Sequence, residues 1–85
     1  MTILLSRDLM REDIAALIHI DPEEIGEDDN LADLGLDSMR AMNLVLLWQE
    51  RGVHLDFALM AERPTLAGWW QLARHRMDAI MEARS

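Results

Sequence analysis

Apolar side chains recur at helical spacing in the first part of the chain. Residues 6–19 hold four of them about one turn apart, at Met10, Ile14, Leu17 and Ile18. Ser6 opens this stretch and is a residue type that caps helix N-termini. Asp21 and Pro22 follow it, and a proline cannot continue the helical hydrogen-bond ladder. The pattern therefore predicts a first helix over residues 6–19 that is ended by Asp21 and Pro22.

A second helical pattern follows after a long polar segment. It runs from Ser38 to Arg51, and Gly52 stands where a left-handed C-terminal cap is expected. The spacing assigns its inward face to Met42, Val45, Leu46 and Trp48.

Two more helices are predicted near the end of the chain. A short one covers residues 57–62 behind a capping Asp56, and a longer one begins after Thr65. The apolar stripe of the longer helix is Leu66, Trp69, Ala73, Met77 and Ile80. Trp69 and Trp70 point about 100° apart on a helix, so only one of them can face the core.

A long acidic segment separates the first two predicted helices. Residues 21–37 hold half of the chain's 16 acidic residues and no basic one. Four apolar residues interrupt the charges, at Ile25, Leu31, Leu34 and Leu36. We expect them to fix the segment to the core as an ordered loop, and such loops often carry function. The predicted fold is all-α, a four-helix bundle with a long loop between helices 1 and 2 and a short third helix.

The composition limits the classes of protein to which the chain can belong. At 85 residues it predicts a single domain over 1–85, with a core over about 6–83, and leaves no room for a deep catalytic cleft. A hydrophobic content of 51% is too high for a disordered chain. A net charge of −8 repels a phosphate backbone and so disfavours nucleic acid as a partner; it favours a basic partner protein and disfavours self-association, so we expect a monomer that binds no nucleic acid.

The sequence contains no pattern typical of a transmembrane helix or a signal peptide, and no residue that could form a disulfide bond. The longest apolar run, residues 44–48, is far shorter than the roughly 20 residues of a spanning helix. Residues 3–5 are too short for the apolar core of a signal peptide, so we expect a cytoplasmic protein. Cysteine is absent, which excludes disulfides and thiolate metal sites. Met1 favours a free-standing chain over one excised from a larger protein.

Catalytic and metal-binding chemistry has little support in the sequence. His19, His54 and His75 lack ligand spacing and fall at predicted element ends or on a charged face. The acids of residues 27–33 fail the calcium-loop pattern, which needs alternating oxygen ligands, a central glycine and a terminal glutamate. We therefore predict no catalytic residue and no metal ligand.

Ser38 stands in a distinctive setting, where the acidic loop meets the second helix. No histidine lies nearby in the sequence to activate it as a nucleophile. The unsatisfied N–H groups and positive dipole end of a helix N-terminus would favour a phosphate attached there. Equally, the only role of Ser38 could be to cap the helix N-terminus, although Asp37 could also provide this cap. These residues alone leave both interpretations open.

The wider pattern around Ser38 resembles a known family. Residues 29–39, DNLADLGLDSM, are similar to the modification site of the acyl and peptidyl carrier protein superfamily, in which the serine after Gly-x-Asp receives 4′-phosphopantetheine. The predicted helix order and long first loop resemble that superfamily's four-helix bundle over roughly residues 8–82. The resemblance implies that Ser38 carries the group covalently and that Asp37 meets the modifying transferase.

Three segments resemble one subgroup, the aryl carrier domains of siderophore synthesis that are often fused to isochorismatase. They are GLDSMR at 35–40, DFALMA at 56–61 and PTLAGWW at 64–70. Arg40 and the tryptophan pair distinguish this subgroup from fatty-acid carriers. The resemblance implies a protein that holds an aryl acid, such as 2,3-dihydroxybenzoate or salicylate, as a thioester and delivers it to nonribosomal peptide synthesis.

The same resemblance implies partner proteins and a surface that meets them. The partners are a phosphopantetheinyl transferase, an aryl-acid adenylating enzyme and the condensation domain of a nonribosomal peptide synthetase. The implied contact residues are Met39, Arg40 and Met42 on the second helix and Phe57, Met60 and Ala61 around the third. Helical spacing alone is equally consistent with Met42 and Phe57 as core residues.

Other classes of function stay open on the sequence alone. The chain could be an acyl or aminoacyl carrier of another polyketide or peptide pathway. It could also be an unmodified helical interaction module in which Ser38 only caps a helix. A small hydrolase that uses Ser38 is disfavoured, because no base is positioned to activate the hydroxyl.

Overall fold

Helices make up most of the described part of the chain. The computed structural model describes residues 5–84, with side chains through residue 83, so the predictions that rest on Met1 and on residues 3–4 lie outside it. Within this range the elements are α1 Arg7–Ile18, a 3-10 turn Pro22–Glu24, α2 Ser38–Glu50, α3 Phe57–Glu62 and α4 Leu66–Arg84, with no strand. None of these helices is both long and apolar enough to cross a membrane. The predicted all-α bundle with a long first loop and a short third helix is confirmed.

α1 begins and ends through caps made by its flanking residues. Ser6 Oγ accepts a hydrogen bond from the backbone N–H three residues on, at 3.1 Å, as predicted. The helix ends at Ile18, because His19 adopts a left-handed conformation with φ of 59°. This stop comes before the predicted one at residues 21–22. Pro22 instead opens the 3-10 turn, where the missing N–H of a proline is tolerated.

The inward face of α2 differs from the predicted one. Its buried residues are Ala41, Leu44, Val45 and Trp48. The prediction was right for Val45 and Trp48 and wrong for Met42 and Leu46, whose side chains are 42% and 55% exposed. Apolar residues occur on two faces of α2, so their spacing is consistent with either face being buried. Packing against the rest of the fold decides which face is buried.

The last two helices also begin at side-chain caps, as predicted. Asp56 Oδ1 accepts a hydrogen bond from the N–H of Ala58 at 2.8 Å, and Thr65 Oγ1 accepts one from the N–H of Gly68 at 3.0 Å. The predicted stripe of α4 is fully buried over its first turns, at Leu66, Trp69 and Ala73. Towards the helix C-terminus the stripe is less enclosed, since Met77 is only partly buried against the core.

One hydrophobic core draws on all four helices and the loops between them. Its largest fully buried side chains are Leu5, Met10, Ile14, Leu31, Leu44, Trp48, Val53, Met60 and Leu66. α1 packs against α2 and α4, and α3 bridges α2 and α4. The buried residues of the described part of the chain form one cluster.

Two tryptophans meet at the centre of the core. The rings of Trp48 and Trp69 pack edge to face, with centroids 6.2 Å apart and planes at 75°. Trp48 Nε1 donates to Asp13 Oδ2, and Trp69 Nε1 donates to the carbonyl oxygen of Met60, each at 2.9 Å. Trp70 is half-buried, so the prediction that only one of the adjacent tryptophans faces the core is confirmed.

The acidic loop over residues 21–37 is held against the bundle. Three of its four predicted anchors are buried and the fourth is half-buried: Ile25, Leu31, Leu36 and Leu34. The N–H of Leu31 donates to the carbonyl of Pro64 at 2.8 Å, and the N–H of Ala67 donates to the carbonyl of Glu27 at 2.9 Å. Glu27 also forms an ion pair with Arg7. The loop is therefore fixed to the start of α4 and to α1.

Alanine substitutions at Leu44 and Leu46 test the assigned face of α2. Leu44 is fully buried, so Leu44→Ala is expected to lower the free energy of unfolding by about 2 to 5 kcal/mol. Leu46→Ala removes an exposed side chain and is expected to change it by less than about 0.5 kcal/mol. Urea unfolding followed by far-ultraviolet circular dichroism measures both changes. Equal losses in the two variants would contradict this face assignment.

Candidate functional site

A tight turn leads from the acidic loop into α2. Gly35 has a φ of 110°, a conformation that side chains rarely adopt, and nothing lies within 4 Å of where a Cβ would stand. The backbone conformation, and not a lack of space, therefore requires glycine. Leu36 is buried, and its N–H donates to the carbonyl of Leu31 at 3.0 Å. This anchored turn places Asp37 and Ser38 at the protein surface.

Asp37, and not Ser38, caps the N-terminus of α2. Asp37 Oδ1 accepts a hydrogen bond from the N–H of Arg40 at 2.9 Å. The second carboxylate oxygen pairs with Arg40 Nη1, also at 2.9 Å. Ser38 is the first residue of the helix, so its hydroxyl is not needed for capping. The structure thus decides between the two capping residues that the sequence left open.

The Ser38 hydroxyl is exposed and uncommitted. Within residues 5–84 it has no hydrogen-bond partner, and no histidine contacts it to act as a base. The first backbone N–H groups of a helix lack intrahelical acceptors, and the helix dipole adds positive potential at this end. Such a hydroxyl suits the attachment of an anionic phosphoester rather than nucleophilic catalysis by the chain itself. No three His, Asp or Glu side chains of the described residues come together to hold a metal ion.

A mostly apolar cavity of about 200 Å³ opens beside Ser38. Its apolar lining comes from the acidic loop, α2, the α3 region and α4: Leu31, Ala32, Leu36, Ala41, Phe57, Met60, Ala61, Pro64 and Trp69. Asp37 and Ser38 complete the lining. The cavity therefore joins the exposed hydroxyl to the apolar interior of the fold.

The surroundings of Ser38 are strongly acidic. Every acidic residue of the loop over 21–37 is exposed. Arg40 is the only arginine or lysine between positions 12 and 50, and it is paired with Asp37. The site consequently presents a negative surface, which favours the approach of a basic partner.

Five of the six predicted contact residues have side chains that reach the surface. They are Met39, Arg40, Met42, Phe57 and Ala61. Met39 is 80% exposed, whereas Phe57 also packs partly against the core. Met60 is 1% exposed and forms part of the cavity wall, so its predicted place on the surface is wrong. A helix as short as α3 offers too few positions for spacing alone to separate its inner and outer faces.

Leu46 extends the exposed apolar face of α2, although its helical spacing predicted a core position. Met39, Met42 and Leu46 follow the spacing i, i+3, i+7 and are all exposed. They form an uncharged stripe that runs for about two turns from the site. The signal was present as a second apolar stripe on α2, but spacing alone assigned Leu46 to the core.

Comparison with known proteins agrees with this geometry. The family described as "Phosphopantetheine attachment site" matches residues 8–72, which include the acidic loop, α2 and α3. The chain belongs to the phosphopantetheine attachment family. Proteins of this family carry covalent 4′-phosphopantetheine and act as carriers rather than catalysts, so the predicted cofactor and the predicted carrier family are both confirmed.

Three curated relatives match most of this chain. An isochorismatase of Bacillus subtilis is 39% identical over 72 residues, which cover 85% of this chain and 23% of the relative. The phenyloxazoline synthase MbtB of Mycolicibacterium paratuberculosis is 43% identical over 63 residues, 74% of this chain and 5% of the relative. Enterobactin synthase component B of Escherichia coli is 40% identical over 67 residues, 79% of this chain and 23% of the relative.

The carrier chain spans less than a quarter of the length of these relatives. No solved structure gives a significant match to it.

Substitutions at Asp37 and Ser38 distinguish the cap from the free hydroxyl. Asp37→Ala removes the cap and is expected to lower the free energy of unfolding by about 1 kcal/mol. Ser38→Ala removes a hydroxyl that has no hydrogen-bond partner in the described part of the chain, and is expected to change the free energy of unfolding by less than about 0.5 kcal/mol. Chemical denaturation of the unmodified protein measures both values. A loss on Ser38→Ala as large as that on Asp37→Ala would show that the hydroxyl is the cap after all.

Proposed function

We propose that this protein is an aryl carrier protein that bears 4′-phosphopantetheine on Ser38. In this role it holds an aryl acid, such as 2,3-dihydroxybenzoate or salicylate, as a thioester. It then delivers the acyl group to a condensation domain in siderophore or related nonribosomal peptide biosynthesis. The observation that carries the proposal is the exposed Ser38 hydroxyl at the start of α2, which has no hydrogen-bond partner among residues 5–84 and lies inside the segment that matches the phosphopantetheine family.

The local electrostatics support Ser38 as the attachment residue. Ser6 also lies at a helix N-terminus, but its hydroxyl is engaged as the cap of α1. Ser38 lies at the N-terminus of α2, which Asp37 caps, and backbone N–H groups and the helix dipole stabilise a phosphate attached there. Asp37 keeps the helix start intact through its cap, and its charge is balanced by Arg40. A phosphodiester on Ser38 is therefore not placed beside an unpaired carboxylate.

In the modification step, this chain supplies only an accessible nucleophile. Ser38 Oγ forms a bond to the β-phosphorus of coenzyme A, the bridging phosphoanhydride bond breaks, and adenosine 3′,5′-bisphosphate leaves. A basic phosphopantetheinyl transferase with Mg²⁺ supplies the base that takes the Ser38 proton, and Asp37 contributes to the acidic surface that the transferase meets. Once attached, the group supplies a terminal thiol, which this cysteine-free chain lacks.

The aryl specificity rests on resemblance and on the nature of the relatives. The segments GLDSMR, DFALMA and PTLAGWW resemble aryl carrier domains. The relatives with 39% to 43% identity are an isochorismatase, a phenyloxazoline synthase and an enterobactin synthase component, and these names favour aryl acids over fatty acids as the cargo.

The exposed face of α2 and the outer side of α3 form the proposed docking surface for the partner enzymes. Met39, Met42 and Leu46 supply an uncharged apolar stripe, Arg40 lies beside it, and Phe57 and Ala61 flank the cavity. Methionine suits a surface that meets several partners in turn, because its flexible thioether repacks against different shapes. We assign to this surface the adenylating enzyme and the condensation domain, in the cytoplasm and with a monomeric carrier.

Enzymatic modification of the unmodified protein tests the attachment residue. Incubation with coenzyme A, Mg²⁺ and a broad-range phosphopantetheinyl transferase is expected to add one phosphopantetheine to the wild type, measured by intact-protein mass spectrometry. Ser38→Ala is expected to gain no mass, because the nucleophile is gone. Ser6→Ala, which removes the α1 cap instead, is the matched control and is expected to gain the full mass. No gain on the wild type, or an undiminished gain on Ser38→Ala, would contradict the proposal.

Loading of the modified protein tests the class of cargo. Adenylating enzymes specific for 2,3-dihydroxybenzoate or salicylate are expected to form a thioester on the modified wild type, detected as a second mass gain. Enzymes specific for amino acids or fatty acids are expected to load it much less. Preferential loading by either of those would replace the aryl carrier with a carrier of another pathway.

A further inference from the structure

The cavity beside Ser38 has no role in the attachment reaction at Ser38 itself. We infer that this cavity binds the geminal dimethyl group at the phosphate end of the phosphopantetheine arm. The arm then leaves Ser38 along the cleft between the acidic loop and α3, instead of extending freely from its first bond. This inference rests on the proposed function, because it requires the group to be attached to Ser38.

The lining of the cavity matches an aliphatic occupant. Leu36 and Phe57 contribute large apolar side chains to the lining, and Ala61 contributes only a methyl group. Met60 and Trp69 are buried where they line it, and the indole N–H of Trp69 is already donated to the Met60 carbonyl. These two side chains therefore present no unsatisfied polar group that would favour water or a polar ligand.

The size of the cavity is sufficient for such a group. Its volume is about 200 Å³. An apolar protein cavity of about 150 Å³ is large enough to bind benzene. A quaternary carbon with its two methyl groups is smaller than a benzene ring, so the cavity can receive it without displacing a core side chain.

The covalent chemistry of the arm selects its near end as the occupant. The quaternary carbon is joined to the phosphate through a single methylene and an ester oxygen, so it stays close to Ser38, which itself lines the cavity. The amide groups of the arm come further along and need hydrogen-bond partners that the apolar lining does not supply. The thiol and its cargo lie beyond both amides. Transfer of the dimethyl group from water to the cavity is favourable, because it removes apolar surface from solvent.

Nuclear magnetic resonance of the modified protein tests this contact directly. Modification with coenzyme A that carries ¹³C in the dimethyl group allows isotope-filtered NOE measurement on the protein without cargo. We expect NOEs from these methyl protons to the Phe57 ring and the Ala61 methyl group. Mass spectrometry on the same sample establishes that Ser38 is modified.

Cavity-filling variants and a matched control locate the contact. Ala61→Phe fills the cavity from α3 and Ala32→Phe fills it from the loop, and both are expected to abolish the NOE to Phe57. Ala58→Phe adds the same bulk at an exposed position of α3 that does not line the cavity, and is expected to keep this NOE. The second filling variant keeps the test valid if Ala61→Phe is a poor substrate for the transferase.

Each contrary result has a distinct meaning. A modified wild type with no NOE from the dimethyl group to the cavity overturns this inference and leaves the carrier function standing. NOEs to the cavity that arise only from an aryl ring after loading overturn it in favour of the cargo as occupant. Loss of the NOE to Phe57 in Ala58→Phe as well overturns the assigned location. No mass gain on the wild type overturns both the carrier function and this inference.

Discussion

The anchoring of the acidic loop is the constraint on which the site depends. Repulsion among its acids would favour an extended segment, but buried leucines and two backbone hydrogen bonds to residues near the start of α4 hold it in place. Leu31 contributes both a fully buried side chain and one of these bonds. Leu36 is buried directly before the cap, which holds the start of α2 in place, and the cavity forms where the loop, α2 and the α3 region meet. The burial of the leucines thus offsets the electrostatic cost of concentrating charge next to Ser38.

Asp37 caps α2, so the hydroxyl of the neighbouring Ser38 is available for modification. A serine at the N-cap would commit its hydroxyl to the helix, and modification would then compete with helix stability. Here Asp37 satisfies the N–H of Arg40 and pairs with its guanidinium, so the helix start holds together without the hydroxyl. The proposed attachment of phosphate at Ser38 therefore adds negative charge at a helix N-terminus that Asp37 already caps. The helix dipole favours negative charge at this end.

Local signals in the sequence predicted the elements, whereas the choice between faces needed the tertiary structure. Caps are local chemistry, so Ser6, Asp56 and Thr65 marked the starts of α1, α3 and α4 correctly. The end of α1 was placed too late, because nothing in the sequence signalled a left-handed His19. Leu46 was misplaced because α2 is apolar on two faces. The cavity could not be predicted, because its lining comes from segments that only the fold brings together.

The exposed apolar stripe on α2 and the net charge of the chain have opposite effects on self-association. A stripe formed by Met39, Met42 and Leu46 would favour contact between copies of the carrier, since apolar surface patches promote association. A net charge of −8 on 85 residues opposes such contact, because two copies repel each other before the stripes can meet. A partner with a basic rim meets no such repulsion and can reach the same stripe. On the proposed docking surface, the net charge therefore supplies a selectivity between partners that the apolar stripe lacks by itself.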